Sequence, residues 1–266
     1  SKSVAIGREA LRQQNFSSAT NSNNTAVGYR AGLLVTTGTD NTLMGTEAGD
    51  ALTTGITNVA IGTGALSADV AGHRTVAVGY NSLRLQTYAS STNSGNTAVG
   101  FNTGQALTSG INNTFIGLQA GQSFTDADYN TAIGQQALVT DTKGSRSTAV
   151  GAGALGTQNF TNATNADNTA VGYGAGISIT TGTQNTLMGV NAGDALTTGE
   201  NNVAIGAFAL SAEDAHGRNI AIGRNALLVL NAGANGNNVA IGYNAGANVT
   251  TGTENVFVGS FTGDGT

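Results

Sequence analysis

The chain of 266 residues contains no cysteine, no proline and no tryptophan, and only 9% of its residues are charged and 5% aromatic. Without cysteine it can form no disulfide and no structural thiolate metal site, and its redox compartment leaves no mark. Ten basic residues are scattered against 15 acidic ones, for a formal net charge of -5. That distribution excludes a surface tracking a phosphate backbone, so no nucleic-acid partner is expected. No run approaches the roughly 18 to 20 consecutive apolar residues that a spanning helix needs, and no basic, apolar, small-residue export signal opens the chain. This segment is therefore not expected to insert into a membrane.

What is abundant is glycine, 40 residues, together with Asn, Thr, Ala and Ser, and 39% of the chain is hydrophobic. The hydrophobic residues recur on a fixed pattern, which separates this composition from that of a disordered polar chain. "NTAVGYRAG" at Asn24 returns as "NTLMGTEAG" at Asn41, "NTAVGFNTG" at Asn96, "NTAVGYGAG" at Asn168 and "NVAIGYNAG" at Asn238. Anchored on the glycine that closes each pentad, from Gly7 to Gly259, there are fifteen repeats. Their spacings run 21, 17, 17, 17 three times over, then 19 and 17, so four repeats make a superperiod of 72 residues.

The second pentad residue is Thr, Val or Ile throughout, and the fourth is Val or Ile except at Met44 and Met188. Such β-branched runs favour extended backbone, and neither the glycine content nor the periodicity supports helix. One short strand every 17 residues with no helical connection reads as an all-β parallel β-solenoid, about 15 coils of 17–21 residues, each strand about 4.8 Å from the next. The rod so built would be roughly 70 Å long. "TTG" segments, as at Thr36 and Thr180, supply turn chemistry. Asn, which opens twelve of the fifteen pentads, is expected to stack as an amide ladder.

Alternation along a strand puts Asn, the central residue and Gly on one face, and the two β-branched residues on the other. The central residue is Ala in eleven repeats, as expected if this small face fills a narrow coil interior. Leu43, Phe115, Leu187 and Phe257, the exceptions, are expected to occupy a local widening beside the longer coil. No pentad contains Asp, Glu, Lys or Arg, so the opposite face forms an uninterrupted apolar flank. Such a flank calls for burial, and a homotrimer closing it around a common axis is the expected solution. A monomer covering it with its own second strand is the alternative.

The pentad followed by "xxAG" or "xxAL" resembles the head repeats of trimeric autotransporter adhesins, and is similar to the repeat arrays of bacteriophage tail fibres and tail-fibre-like bacterial surface proteins. The resemblance extends over essentially the whole chain. It implies a left-handed β-roll, three identical chains, an extracellular location on a virion tail fibre or bacterial surface, and attachment to a cell. Autotransporter heads use shorter repeats than the 17 and 21 residues found here, which favours the tail-fibre-like branch. Residues 1–266 are thus expected to form a single β-roll repeat domain, a fragment of a longer fibre.

Candidate binding residues come from the 72-residue phase. Phe16, Tyr88 and Phe160 fall at one position of the long coils among Asn, Ser and Thr, a platform for a cell-surface glycan, or else rings folded back over the coil. Lys2, Arg74, Arg146 and Arg218 share another phase, and could hold an anionic glycan or other receptor. Asp69, Asp141 and Glu213 precede the three arginines by five residues, so exposed ion pairs across the turn are the preferred reading. No catalytic residue, metal site or cofactor is expected. Two further classes stay open: a tailspike-type polysaccharide-degrading enzyme using Asp126 and Asp128, and an ice-binding solenoid presenting threonine. His73 and His216, offset by one position, are expected to be exposed turn residues.

Overall fold

A computed structural model describes residues 2–263. The protein is an all-β parallel β-solenoid of about fifteen coils, with no helix among the described residues. It divides into two units, Ser1–Asn130 and Thr131–Thr266. In the first, the pentad strands are Val4–Ile6, Thr25–Val27, Thr42–Met44, Val59–Ile61, Val76–Val78, Thr97–Val99 and Thr114–Ile116. In the second they are Thr131–Ile133, Thr148–Val150, Thr169–Val171, Thr186–Met188, Val203–Ile205, Ile220–Ile222, Val239–Ile241 and Val256–Val258. Within each unit successive strands pair in parallel, and equivalent pentad positions always face one another, as Thr25↔Thr42 and Ala26↔Leu43 do.

Hydrogen bonding continues round the coil. Arg30 N donates to Arg8 O (2.9 Å), Gly32 N to Ala48 O (3.0 Å) and Thr36 N to Thr53 O (2.9 Å), so turns stack on turns as strands stack on strands. The pentad glycine is required by that stacking. Gly28 has φ +138°, and a Cβ there would lie 2.5 Å from the carbonyl oxygen of Gly45 in the next coil. In the first unit the second of the two longer coils closes through a further short ladder, Gly72–His73 against Thr92–Asn93, and in the second unit the longer coil does so through Gly144–Ser145 against Thr164–Asn165.

The faces are as alternation requires. Asn24 and Ala26 are fully buried, whereas Thr25 and Val27 are half-exposed. The asparagines form the expected ladder, inside the coil. Asn24 Nδ2 donates to Gly38 O (2.8 Å) while its Oδ1 accepts the Asn41 backbone N–H (2.9 Å). In the second unit Asn168, Asn185, Asn202 and Asn219 repeat the link at 2.9 to 3.0 Å. Each amide thereby satisfies buried backbone groups that would otherwise cost about 1 to 3 kcal/mol apiece.

The interior is less narrow than the alanines imply, because volume is exchanged between two positions. Where the strand centre is Ala, the fourth residue after the pentad glycine is often leucine, as in Ala60 with Leu66 and Ala77 with Leu83, all fully buried. Where the centre is Leu or Phe, that position is glycine in its own coil and in the preceding one. A Cβ at Gly32 or Gly49 would lie 2.7 or 2.8 Å from Leu43, and one at Gly104 or Gly121 2.8 or 2.7 Å from Phe115. The room for the large residues thus comes from paired glycines, not from the longer coil.

Candidate interaction surfaces

Three surfaces are candidates: the apolar flank, the column beside it, and the turn edge carrying the cations. The flank consists of the outward pentad residues. Val99 (37% exposed) and Ile116 (38%) in the first unit, and Met188 (46%) in the second, leave much of their side chains in water, in register with their neighbours and with no charge between them.

Next to the flank stands the residue after each pentad glycine. Tyr29, Tyr80, Phe101 and Leu118 occupy this column in the first unit and Tyr173, Val190 and Tyr243 in the second, all exposed. Tyr80 and Phe101 stack with ring centroids 5.1 Å apart and planes 14° from parallel. Each covers one face of the other. Such a rib suits packing against an apolar surface better than stacking on a sugar ring, which needs an open face.

The turn edge carries the cations. Arg74, Arg146 and Arg218 are exposed on left-handed turn residues with φ of 59°, 64° and 64°, and Lys2 is exposed as well. The ion pairs expected with Asp69, Asp141 and Glu213 do not form, because these carboxylates are fully buried and point inward. Asp69 accepts from Gly72 N (3.0 Å), Gln86 Nε2 (2.8 Å) and Tyr88 N (3.3 Å). Asp141 accepts from Gly144 N (2.9 Å), Gln158 Nε2 (2.6 Å) and Phe160 N (3.1 Å). Glu213 accepts from His216 N and Nδ1 (3.2 and 3.1 Å) and from Ala232 N (3.2 Å). Burial pushes the Asp69 carboxyl above its ordinary range, partly offset by Gln86 and the backbone donors. A five-residue offset reads as a salt bridge on paper; the bonded turn instead turns the acid inward and the arginine outward.

The same bonds fix the long-coil aromatics. Tyr88 and Phe160 are buried (7% and 6% exposed), so the platform reading does not hold for them and the folded-back alternative does. Tyr88 Oη donates to Gly110 O (2.7 Å) and accepts from Asn96 Nδ2 (3.3 Å). Burial, with the nearby Asp69 charge, makes this phenol a weaker acid than usual. Phe16 alone is half-exposed, lining an open hollow of about 470 Å³ with Ser3, Leu11 and Gln14.

Other candidates resolve into structural roles. His73 is buried, not exposed: its Nδ1 accepts the Ile56 N–H (2.9 Å) and its Nε2 lies 2.6 Å from Ser91 Oγ. A ring whose Nδ1 accepts carries its proton on Nε2 and donates to the serine, the wrong tautomer for activating a nucleophile. Asp128 Oδ1 accepts the Ile111 N–H (2.8 Å). The threonines of the "TTG" turns donate to the next coil, Thr36 to Thr53 O (3.1 Å) and Thr180 to Thr197 O (3.2 Å). Glu213, Asp214 and His216 gather ligand atoms within 4.8 Å, but the bonds of Glu213 already account for its position. No helix among the described residues is long and apolar enough to cross a membrane.

These features define a parallel β-solenoid repeat protein with one uncharged outer flank. No family model, curated protein or solved structure matches the chain, and the functional reading rests on the geometry.

Proposed function

We propose that the chain is a non-enzymatic, homotrimeric segment of an extracellular surface fibre, of the tail-fibre or adhesin-head kind, that helps attach its bearer to a host or target cell. One observation carries the reading: the β-branched pentad residues line the outer face of strand after strand, uncharged and in register. Apolar surface left in water costs about 25 cal/mol per Å². Three copies arranged about an axis parallel to the ladder cover their flanks together and leave no seam. The exposed, mutually stacked rings of Tyr80 and Phe101 support the same use. Surface contact falls to the turn edge, where the exposed Lys2, Arg74, Arg146 and Arg218, with the half-exposed Phe16, suit an anionic glycan. Light scattering together with binding to immobilised acidic glycans tests both halves. A trimer whose glycan binding is lost in the triple Arg74, Arg146 and Arg218→Ala variant is expected. A stable monomer would overturn the first half, and undiminished binding by the variant the second.

A further inference from the structure

A self-associating flank built from near-identical repeats has an alignment problem. A copy displaced along the ladder by one 72-residue superperiod still sets Val, Ile and Met against Val, Ile and Met, with the leucine and glycine phases matched. Register is weakly specified wherever a repeating face carries no distinguishing group. Such a displacement uncovers four coils of flank at each end, which opposes it, and a group that occurs once along the chain adds to that bias.

The first three coils hold it. Among residues one and two places after the pentad glycines, charge occurs at Arg8, Glu9, Arg30 and Glu47, and elsewhere only at Arg224. Glu9, Arg30 and Glu47 occupy the same position of successive coils and form an alternating column beside the flank. Arg30 Nε meets Glu9 Oε2 at 3.0 Å and its Nη1 lies 3.8 Å from Glu47 Oε1. The guanidinium carbons of Arg8 and Arg30 lie 5.9 and 5.1 Å from the ring centre of Tyr29, the first aromatic of the neighbouring column. One superperiod further on, the equivalent residues are Tyr80, Asn81, Asn102 and Gln119, with no charge.

We infer that the Arg8, Glu9, Arg30 and Glu47 cluster is a register lock for association with second copies of this chain. The inference rests on the self-association proposed above. In register, charged coils meet charged coils, and the cluster stays in a shared polar environment. Displaced by a superperiod, the same four charges press on the uncharged Tyr80 to Gln119 coils of a neighbour and lose solvation with no new partner. Charged groups next to an apolar interface act in this way as selectors of alignment, at little gain in affinity.

Disulfide trapping reads the alignment. Met44 and Ile116 are exposed flank residues 72 positions apart, hence about 19 Å apart along the ladder and beyond disulfide reach in register. Chains carrying Met44→Cys are mixed with size-tagged chains carrying Ile116→Cys, unfolded and refolded together, and oxidised. With the native cluster, chains with the same substitution cross-link and mixed products stay at background. With Arg8, Glu9, Arg30 and Glu47 all changed to Gln, which leaves net charge unaltered, mixed products should rise about tenfold, a register preference of ~1.4 kcal/mol. Circular dichroism and melting confirm that the variant folds. Mixed products already abundant with the native cluster, or still at background without it, would each overturn the lock. Absence of any cross-link, with folded monomers, would instead remove the self-association beneath it.

Discussion

Asp69 Oδ1 receives the backbone N–H of Tyr88, nineteen residues ahead and one coil away, at 3.3 Å. The contact joins two features that are separate in the linear chain, the periodic acid and the periodic aromatic. Asp141 repeats it with Phe160. Where the long coil shortens and loses its ring, Glu213 reaches Ala232 instead. Asp69→Ala strands three donors, and a loss of about 1 to 3 kcal/mol in denaturant unfolding is expected. Tyr88 should also become accessible to a fluorescence quencher; unchanged quenching would show that the carboxylate does not hold the ring.

The exchange of volume between Leu43 and its glycines can be tested by rebuilding one coil as another. Gly49→Leu alone overpacks the interior and should cost about 1 to 3 kcal/mol. Adding Leu43→Ala removes one of the two side chains a Cβ at Gly49 would meet, Leu43 at 2.8 Å and Leu52 at 2.9 Å, and Leu66, with Ala60 at its strand centre, shows leucine at a φ of 53°, close to the 55° of Gly49. The double variant should therefore regain much of the loss, a coupling that a double-mutant cycle measures directly. Simple additivity would contradict the packing described.

Much of the fold was legible in the chain, and the reason is repetition. A period of 17 with β-branched pairs around a small residue leaves few architectures; alternation put asparagine and alanine on one face, and only the small size of the alanines pointed to that face as the inner one. The long-coil details were not legible. Asp69 and Arg74 have the spacing of an ion pair, and only the bonds from Gly72, Gln86 and Tyr88 turn the acid away. The constant separation of nineteen from Asp69 to Tyr88 and from Asp141 to Phe160 was the available signal. The glycines facing Leu43 were legible too, as co-occurrence, but their meaning depends on which coils touch.

Stability should respond to pH through Asp50. Burial, reinforced by the charge of Glu47, pushes its carboxyl from the ordinary 3.8 up to about 6. A carboxyl that holds its proton more tightly when folded stabilises the fold below its raised pKa, and that contribution is lost as pH rises from about 4 through about 6. Melting temperature should therefore increase when pH is lowered from 7 to 5. Asp50→Asn should flatten the slope, leaving the part due to Asp69, which is shifted in the same direction. Glu9, held below its ordinary 4.5 by Arg30, works oppositely and only at lower pH. A slope unchanged by Asp50→Asn would refute the assignment.

A charge on the flank should abolish association without unfolding the coil. Val99→Glu and Ile61→Glu place carboxylates on the outer strand face, where the side chain reaches water in a single chain but not in a trimer. Sedimentation should shift from about 79 kDa, three times 26.3 kDa, to the mass of one chain, with circular dichroism unaltered. A trimer surviving both substitutions would place the interface elsewhere.

The most direct test is the reactivity of a thiol on the flank itself. Val99→Cys, labelled with a soluble thiol reagent across a range of protein concentrations, should react quickly when dilute and at least about tenfold more slowly once chains associate, as mass action requires. Adding Ile61→Glu should restore fast labelling at every concentration. Fast labelling of Val99→Cys alone at all concentrations would mean that the flank is never covered, and would contradict the trimeric fibre.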